Sequence, residues 1–446
     1  MISDLGPLDL ESMAPWVRAV ANATTVKMHG KVTNVVGLAI ESEGPTCKMA
    51  ELCYIYPKDS DDPPIEAEVV GFKGNRVVLM PLGEVRGIGP GCEVRATGGP
   101  LMVAVGHALL GRVLDGLGNP IDGKGPIDPD AMYSVHNEVV NPFLRPRITK
   151  PLQTGVRVLD GLLTLGRGQR VGIFAGSGVG KSTLLGMIAR NTDADVNVLT
   201  LIGERNRELR DFIELDLGEE GLKRSVCVVA TSDKPALVRR MGAYVGTAVA
   251  EFFRDQGKDV FLMMDSATRF AMAQREVGLA VGEPPATKGY TPSVFALFPK
   301  LLERPGTSPT GTITALYTVL VEGDDMNEII ADTVRGILDG HIVLARKIAH
   351  QNRYPAVDVL QSISRLFPEI TKRDHQDAAG KLRKVLDTYQ KNEDLIKIGA
   401  YKDGSDPDVD YAKRMFKEVV GFLSQRKDEP TPMDQTLEMM KALMAR

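Results

Sequence analysis

The sequence is poor in the residues on which several protein classes depend. Its 446 residues include four cysteines and one tryptophan, and aromatic residues make up only 5%. Because the cysteines lack a CxxC spacing, neither a zinc site nor a disulfide framework is expected. No apolar run approaches the roughly 18 residues of a membrane-spanning helix, and the acidic N-terminus lacks the parts of a secretory signal. We therefore expect a cytoplasmic chain whose contact with a membrane is peripheral at most.

The chain also lacks an excess of positive charge. Its formal net charge is -4, so no overall positive field is available to hold the phosphate backbone of a nucleic acid. Few aromatic residues can serve as stacking platforms for bases, and no nucleic-acid partner is expected. The residues that are present, 43% hydrophobic and 25% charged, have the balance of a globular protein long enough for two or three domains.

The period of the apolar residues changes along the chain and predicts an α/β protein with flanking domains. Short β-branched runs divided by Gly, Pro and Asp indicate a small β-barrel over residues 25–97. Residues 98–365 begin with a Gly- and Pro-rich connection that includes residues 115–120 and 142–151. From about residue 170 to residue 363 they alternate apolar strands with helix-period stretches, which predicts a mostly parallel sheet between helices. Residues 366–446 read as a helical domain. The predicted strands of the sheet are Arg170–Phe174, Val196–Ile202, Ser225–Ala230, Val260–Asp265 and Ile313–Leu320.

A glycine-rich turn follows the first predicted strand of this sheet. It runs from Ala175 to Ser182 as AGSGVGKS and leads into a helix-favouring stretch. A strand, such a turn and a helix N-terminus present backbone N–H groups to phosphate oxygens, which is typical of a P-loop (RecA-type) nucleotide site. Lys181 should reach the β- and γ-phosphates, and the Ser182 hydroxyl should ligate Mg²⁺. The predicted nucleotide-binding residues of the turn are Gly176, Ser177, Gly178, Val179, Gly180, Lys181, Ser182 and Thr183.

Two acidic residues at strand ends complete the predicted chemistry. Asp265 ends an apolar strand and should steady the Mg²⁺, although an Asp at this position is also common as simple strand-to-turn punctuation. The run GERNRE follows another strand and offers two acids, Glu204 and Glu208, at a place where a carboxylate could orient the water that attacks the γ-phosphate. The alternative for this run is a solvated charge cluster that opens a helix. Together with Lys181 and Asp265, an acid in this run predicts a Mg²⁺-dependent ATPase.

Several dispersed motifs together resemble the catalytic subunits of rotary ATP synthases. They are AGSGVGKS, GERNRE, DSATRF, YPAVD and SISR, which begin at residues 175, 203, 265, 354 and 362. Within that superfamily, GEPPAT, VEGDDMN and QKNEDLI, from residues 282, 321 and 390, resemble type III protein-export ATPases, above all the flagellum-specific branch. The resemblance covers the chain beyond about residue 25.

The resemblance implies a role for each of five residues. Glu204 would be the general base that polarises the water, and Arg205 would help to place the water and the γ-phosphate. Arg269 would lie beside the same phosphate, and Tyr354 would stack on adenine. Arg365 would be an arginine finger that enters the nucleotide pocket of the neighbouring subunit, which implies a ring, most simply a homo-hexamer. A packed core tyrosine and a surface ion pair are the alternatives for Tyr354 and Arg365.

The resemblance also implies a biological role. It is Mg²⁺-dependent ATP hydrolysis that energises type III, flagellar protein export at the inner face of the bacterial cytoplasmic membrane. The implied partners are export chaperones, their substrates, a membrane export gate, and a stator-like regulator bound by residues 1–24. A frayed terminus is the alternative for residues 1–24. The residues after Phe422 lack the further aromatics of synthase subunits, so looser base selectivity is expected.

Four other classes of protein remain as alternatives. They are an injectisome ATPase, a subunit of a rotary proton-translocating ATP synthase, a nonhydrolysing subunit of a mixed ring, and an RNA motor similar to the Rho terminator. The acid at Glu204 argues against a nonhydrolysing subunit, and the acidic charge balance argues against the RNA motor.

Overall fold

The computed structural model describes residues 28–445 apart from 59–61, 322 and 324. The chain divides into two compact units between Gly99 and Pro100. The predicted regulator-binding segment, residues 1–24, lies outside the described residues. The segment boundaries predicted after residues 24, 97 and 365 stay predictions. Among the helices of the described part, none is long and apolar enough to cross a membrane.

The first unit is a closed β-barrel, as predicted. Its strands are β1 His29–Val36, β2 Ala39–Glu43, β3 Leu52–Tyr56, β4 Ile65–Lys73, β5 Arg76–Pro81 and β6 Glu93–Ala96. They are hydrogen-bonded in the order β1-β2-β5-β4-β3-β6, and β6 closes on β1. Alternate side chains point inward and form an apolar core that includes Val32, Ile55, Leu79 and Val94.

The second unit is built on a mostly parallel sheet, which confirms the predicted class of fold. Its strands, with those of two small side sheets, are β7 Met102–Val105, β8 Arg112–Asp115, β9 Ala131–Ser134, β10 Pro151–Leu152, β11 Leu165–Gly166, β12 Arg170–Ala175, β13 Val196–Ile202, β14 Ser225–Ala230, β15 Asp259–Asp265, β16 Gly306–Thr307, β17 Thr312–Leu320, β18 Gly340–Leu344 and β19 Val357–Ser364. The order across the sheet is β19-β18-β12-β17-β15-β13-β14-β8, with β16 beside β17. Neighbours from β18 to β8 are parallel, whereas β19 is antiparallel to β18 and β16 is antiparallel to β17.

Helices alternate with these strands and then continue alone to the C-terminus. They are α1 Arg157–Leu162, α2 Lys181–Asn191, α3 Asn206–Asp211, α4 Gly218–Lys223, α5 Ala236–Asp255, α6 Ala267–Val281, α7 Pro292–Leu302, α8 Ile329–Ile337, α9 Arg346–His350, α10 Phe367–Ile370, α11 Arg373–Lys397, α12 Pro407–Leu423 and α13 Met433–Met444. The C-terminal helices share one apolar cluster with the sheet, to which Ile188, Leu382, Phe422 and Met440 belong. The parallel sheet and the helical region therefore form one packed body.

Strand β8 is an addition to the predicted sheet. Its residues were expected to belong to a Gly- and Pro-rich connection, yet they pair in parallel with Val226–Val229 of β14. The strand has only four residues, too few for an apolar period to be recognised. Its place in the sheet is set by the long-range pairing with β14.

The parallel arrangement determines where the site can form. The carboxyl ends of β12, β13 and β15 lie at one edge of the sheet, because neighbouring strands run in the same direction. This edge brings together the turn after Ala175, the run after Ile202 and the carboxylate of Asp265.

Candidate nucleotide site

The predicted turn connects β12 to α2 at the carboxyl edge of the sheet. Ala175 is the last residue of β12 and pairs with Leu320 and Leu344. Its backbone is ordinary extended strand, which explains why alanine is tolerated there. Gly180 precedes the helix with a left-handed φ of 85°, and a Cβ on it would lie 3.2 Å from the ring of Tyr354. Glycine is therefore required at this position by both backbone angle and space.

Three of the predicted catalytic and metal-binding side chains meet at this edge. The ammonium of Lys181 contacts Oδ1 of Asp265, and it lies 3.8 Å from Oε1 of Glu204. The side chains of Lys181 and Asp265 are only 13% and 6% exposed. One cation therefore lies between two carboxylates in a nearly buried cluster, and it is positioned to turn toward a more highly charged anion.

The environment of Glu204 shifts its titration toward neutral pH. Burial raises the pKa of the Glu204 carboxyl to about 7, the charge of Asp265 adds to the rise, and the ammonium of Lys181 opposes it. A carboxyl with a pKa near the operating pH can both take up and release a proton. This property suits a general base.

Arg269 lies in the first turn of α6, close to Glu204. Ser266 caps this helix and accepts a hydrogen bond from the Arg269 N–H at 3.2 Å. The side chain of Arg269 packs on Gly203, where an added Cβ would lie 3.1 Å from its Cβ and Cγ. Nε of Arg269 is buried and has no hydrogen-bond partner within the described residues. Because such a donor is costly to leave unpaired, its position favours an oxygen-rich ligand such as a phosphate.

Two other predicted arginines are not brought to Lys181. Arg205 precedes α3 with its side chain 80% exposed, and its Nη1 lies 3.4 Å from Glu208. Arg365 is exposed and follows β19, and its N–H donates to the carbonyl of Asp339 at 3.0 Å. Because β19 runs antiparallel to its one partner strand in the sheet order, β18, Arg365 lies at the end of the strands opposite the glycine turn. It cannot serve the phosphate site of its own chain.

A cavity of about 570 Å³ opens beside the glycine turn. Tyr354, which is 42% exposed, forms part of its wall. Partial exposure fits a stacking platform better than a packed core tyrosine. The residues that line the cavity are Gly178, Gly180, Thr183, Leu184, Met187, Asn352, Tyr354, Pro355, Ser424, Gln425, Arg426 and Lys427.

Gln425 ties the C-terminal region to this cavity. Its N–H donates to the carbonyl of Tyr354 at 2.9 Å. Its side-chain Nε2 donates to the carbonyl of Gly155, and its Oε1 accepts from the N–H of Arg157, both at 2.8 Å. Because both ends of its amide are engaged, Gln425 positions the wall and is not free to read the edge of a base.

The chain matches known families over three consecutive stretches. The ATP synthase alpha/beta family, nucleotide-binding domain, matches residues 155–364, and its beta-barrel domain matches residues 32–98. The T3SS EscN ATPase C-terminal domain matches residues 371–442. The chain is 57% identical over 419 residues to the flagellum-specific ATP synthase of Bacillus subtilis (strain 168), which covers 94% of this chain and 95% of the relative. This chain belongs to the type III export ATPases of the ATP synthase alpha/beta family.

Other relatives support the same placement among the type III export ATPases. The type 3 secretion system ATPase of Xanthomonas euvesicatoria is 50% identical over 426 residues and covers 96% of both chains. The assembled ATPase EscN from the enteropathogenic E. coli type III secretion system has a TM-score of 0.88 and 44% identity, with 93% of this chain and 100% of that chain covered. A structure of assembled EscN in complex with its central stalk EscO has a TM-score of 0.86.

Sequence reasoning about this export ATPase missed part of the cavity wall. Met187, Asn352 and the adjacent pair Arg426 and Lys427 come from three distant parts of the sequence and are brought together only by the fold. It also missed Thr318, which contacts Asp265. The only hint of Thr318 in the sequence was a polar hydroxyl near the end of the otherwise mostly apolar strand β17.

The pH dependence of this export ATPase should report the Glu204 carboxyl. If the ionised carboxylate is the working form, kcat/KM should rise with pH through about 7 and fall about tenfold per pH unit below it. The measurement is a pH profile of ATP hydrolysis, with binding of a non-hydrolysable nucleotide as the control. A flat profile between about pH 6 and 8 would exclude this assignment of the base.

Proposed function

We propose that this chain hydrolyses ATP with Mg²⁺ and that hydrolysis drives type III, flagellar protein export. The observation that carries the proposal is the contact of Lys181 with Asp265 and its nearness to Glu204 at the end of a glycine turn. A triphosphate offers Lys181 a larger negative charge than one carboxylate does. Lys181 then binds the phosphates, and Asp265 is released to face the metal side of the site.

Ser182 and Asp265 are the residues that would hold Mg²⁺. Both fit the ion, because Ser182 is exposed in the first turn of α2 and Asp265 is a carboxylate at the neighbouring strand end. When bound with ATP, Mg²⁺ neutralises charge on the phosphate oxygens.

The remaining site residues orient the reactants. Glu204 holds the attacking water and accepts its proton, a role that a pKa near neutrality supports. Arg269 donates to the terminal phosphate, and Tyr354 stacks on the base. Arg205 helps to place the water once its side chain has left its surface ion pair with Glu208.

We propose a ring of six copies as the active form. The exposed position of Arg365, opposite the glycine turn, supports a finger that acts on the next copy. A head-to-tail contact of this kind repeats until the ring closes. The similarity to assembled EscN supports the same arrangement.

The proposed partners belong to an export apparatus. The match of residues 371–442 to an export-ATPase domain and the names of the relatives support export over ATP synthesis. In this role the ring releases substrates from export chaperones, unfolds them and delivers them to a gate at the inner face of the membrane. A stator-like regulator is proposed to bind residues 1–24, and a central stalk is proposed from the likeness to the EscN complex with EscO.

Purification of the native ring with its bound proteins tests the proposal. Export-gate components and a flagellar rod or hook partner are the expected companions. Components of a virulence injectisome would assign the same chemistry to the other export system. Proton-channel subunits would instead make the chain part of a rotary ATP synthase and overturn the export role.

A further inference from the structure

A threonine on the strand beside Asp265 donates a hydrogen bond to its carboxylate. Strands β15 and β17 are parallel with Met264 opposite Tyr317, so the next positions along them are Asp265 and Thr318. Oγ1 of Thr318 lies 2.6 Å from Oδ1 of Asp265 and 3.5 Å from the carbonyl of Met264. The shorter distance identifies the carboxylate as the acceptor. Thr318 is completely buried, so this hydroxyl is shielded from water.

Oδ1 of Asp265 thus accepts from two hydrogen-bond donors, and only one of them is expected to keep this contact when a nucleotide is bound. The ammonium of Lys181 is one of them, and it is needed at the phosphates. The hydroxyl of Thr318 is fixed in the core of the sheet. Because Asp265 is only 4% exposed, a carboxylate without any donor there would be costly. Thr318 is the donor that stays when Lys181 turns away.

We propose that Thr318 is a positioning residue that holds Asp265 in place for the Mg²⁺ of a bound nucleotide. The inference rests on the proposed function, because it takes Asp265 to face that ion. A hydrogen bond to Oδ1 fixes the rotation of the carboxylate and leaves Oδ2 for the metal side. Residues that orient a metal-binding carboxylate in this way change metal affinity by about tenfold or more when removed.

The same pair of strands contains a matched control. Thr312 of β17 donates to Oδ1 of Asp259 in β15 at 2.7 Å, and the two residues are register partners. This pair lies at the opposite end of the strands from the glycine turn. Thr312→Val therefore removes the same kind of bond between the same two strands, away from the site.

The test compares nucleotide affinity with and without the metal in the full-length protein. The Kd of a fluorescent ADP is measured in Mg²⁺ and in EDTA for the parent, Thr318→Val, Thr318→Ser and Thr312→Val. We expect the Mg²⁺-induced gain in affinity to fall about tenfold in Thr318→Val and to persist in the other two variants. The Kd in EDTA should stay the same in all four proteins. Direct binding of Mn²⁺, followed by electron paramagnetic resonance with ADP present, should weaken in parallel.

Two outcomes would overturn the inference. One is a Mg²⁺-induced gain in Thr318→Val within about twofold of the parent. The other is an equal loss of affinity in EDTA, which would indicate general damage to the site. If Thr318→Val does not fold, Thr318→Ala removes the same hydroxyl with a smaller side chain. It must then show the expected loss of about tenfold in the Mg²⁺-induced gain in affinity. A parent protein that fails to bind nucleotide would refute the proposed function itself, whereas normal binding with an unchanged Thr318→Val refutes only the role of Thr318.

Discussion

Glu204→Gln should abolish ATP turnover while leaving nucleotide binding intact. Glutamine keeps the shape of the side chain but cannot accept a proton from water. Because burial already raises the pKa of Glu204 to about 7, the neutral amide resembles the protonated form that the free protein populates. Lys181 also retains its contact with Asp265. We therefore expect kcat to fall by about 10³-fold, with little change in Kd.

The measurement pairs single-turnover ATP hydrolysis with titration of a fluorescent nucleotide. Glu214→Gln is a suitable control, because Glu214 is a surface residue that pairs with Arg210 at 2.7 Å. It should hydrolyse ATP at the parental rate. Retained ATP turnover in Glu204→Gln would contradict the assignment of Glu204 as the general base. Loss of nucleotide binding would show that the charge of Glu204 contributes to binding.

Arg365→Ala should lower kcat by about 10³-fold without unfolding the chain. The guanidinium is exposed, and what holds this residue is its backbone bond to Asp339, which alanine keeps. A positive charge supplied from outside stabilises the charge that develops on the transferred phosphoryl group, and its loss affects the rate more than binding. Arg373→Ala, an exposed arginine nearby in sequence, is the control and should remain active.

Mixing two inactive variants tests whether the arginine acts between copies. Arg365→Ala chains keep Glu204, and Glu204→Gln chains keep Arg365. In a ring assembled from equal amounts of both, about a quarter of the sites combine an intact base with an intact finger from the neighbour. ATPase activity should therefore reappear when the two variants are mixed, and it should increase with the fraction of chains assembled into rings. Mixed rings that form but remain inactive would contradict a finger in trans.

The sequence predicted those parts of the site that depend on local patterns. The glycine turn, Lys181 and Asp265 were found because each follows or ends an apolar strand that is recognisable on its own. The barrel was predicted for the same reason, from short runs between turn residues. The exposed state of Arg205 and its pairing with Glu208 were not predicted, because side-chain direction at a helix start depends on neighbours.

The features that escaped prediction depend on distant pairing. Strand β8 is fixed by its partner β14, and the cavity wall joins α2, the run before β19 and the segment after α12. Thr318 becomes informative only when the register places it beside Asp265. No single window of sequence contains these relations, so periodicity and turn signals could not reveal them.

Strand β18 lies between β12, which leads into the glycine turn, and β19, which Arg365 directly follows. With neighbouring strands about 4.8 Å apart, the two functional strands are separated by only about 10 Å of rigid, hydrogen-bonded backbone. In the proposed ring, any movement of the glycine turn on binding ATP would be passed through this backbone to the arginine that the subunit extends to the next one. The nucleotide state of one site would then influence the chemistry of its neighbour.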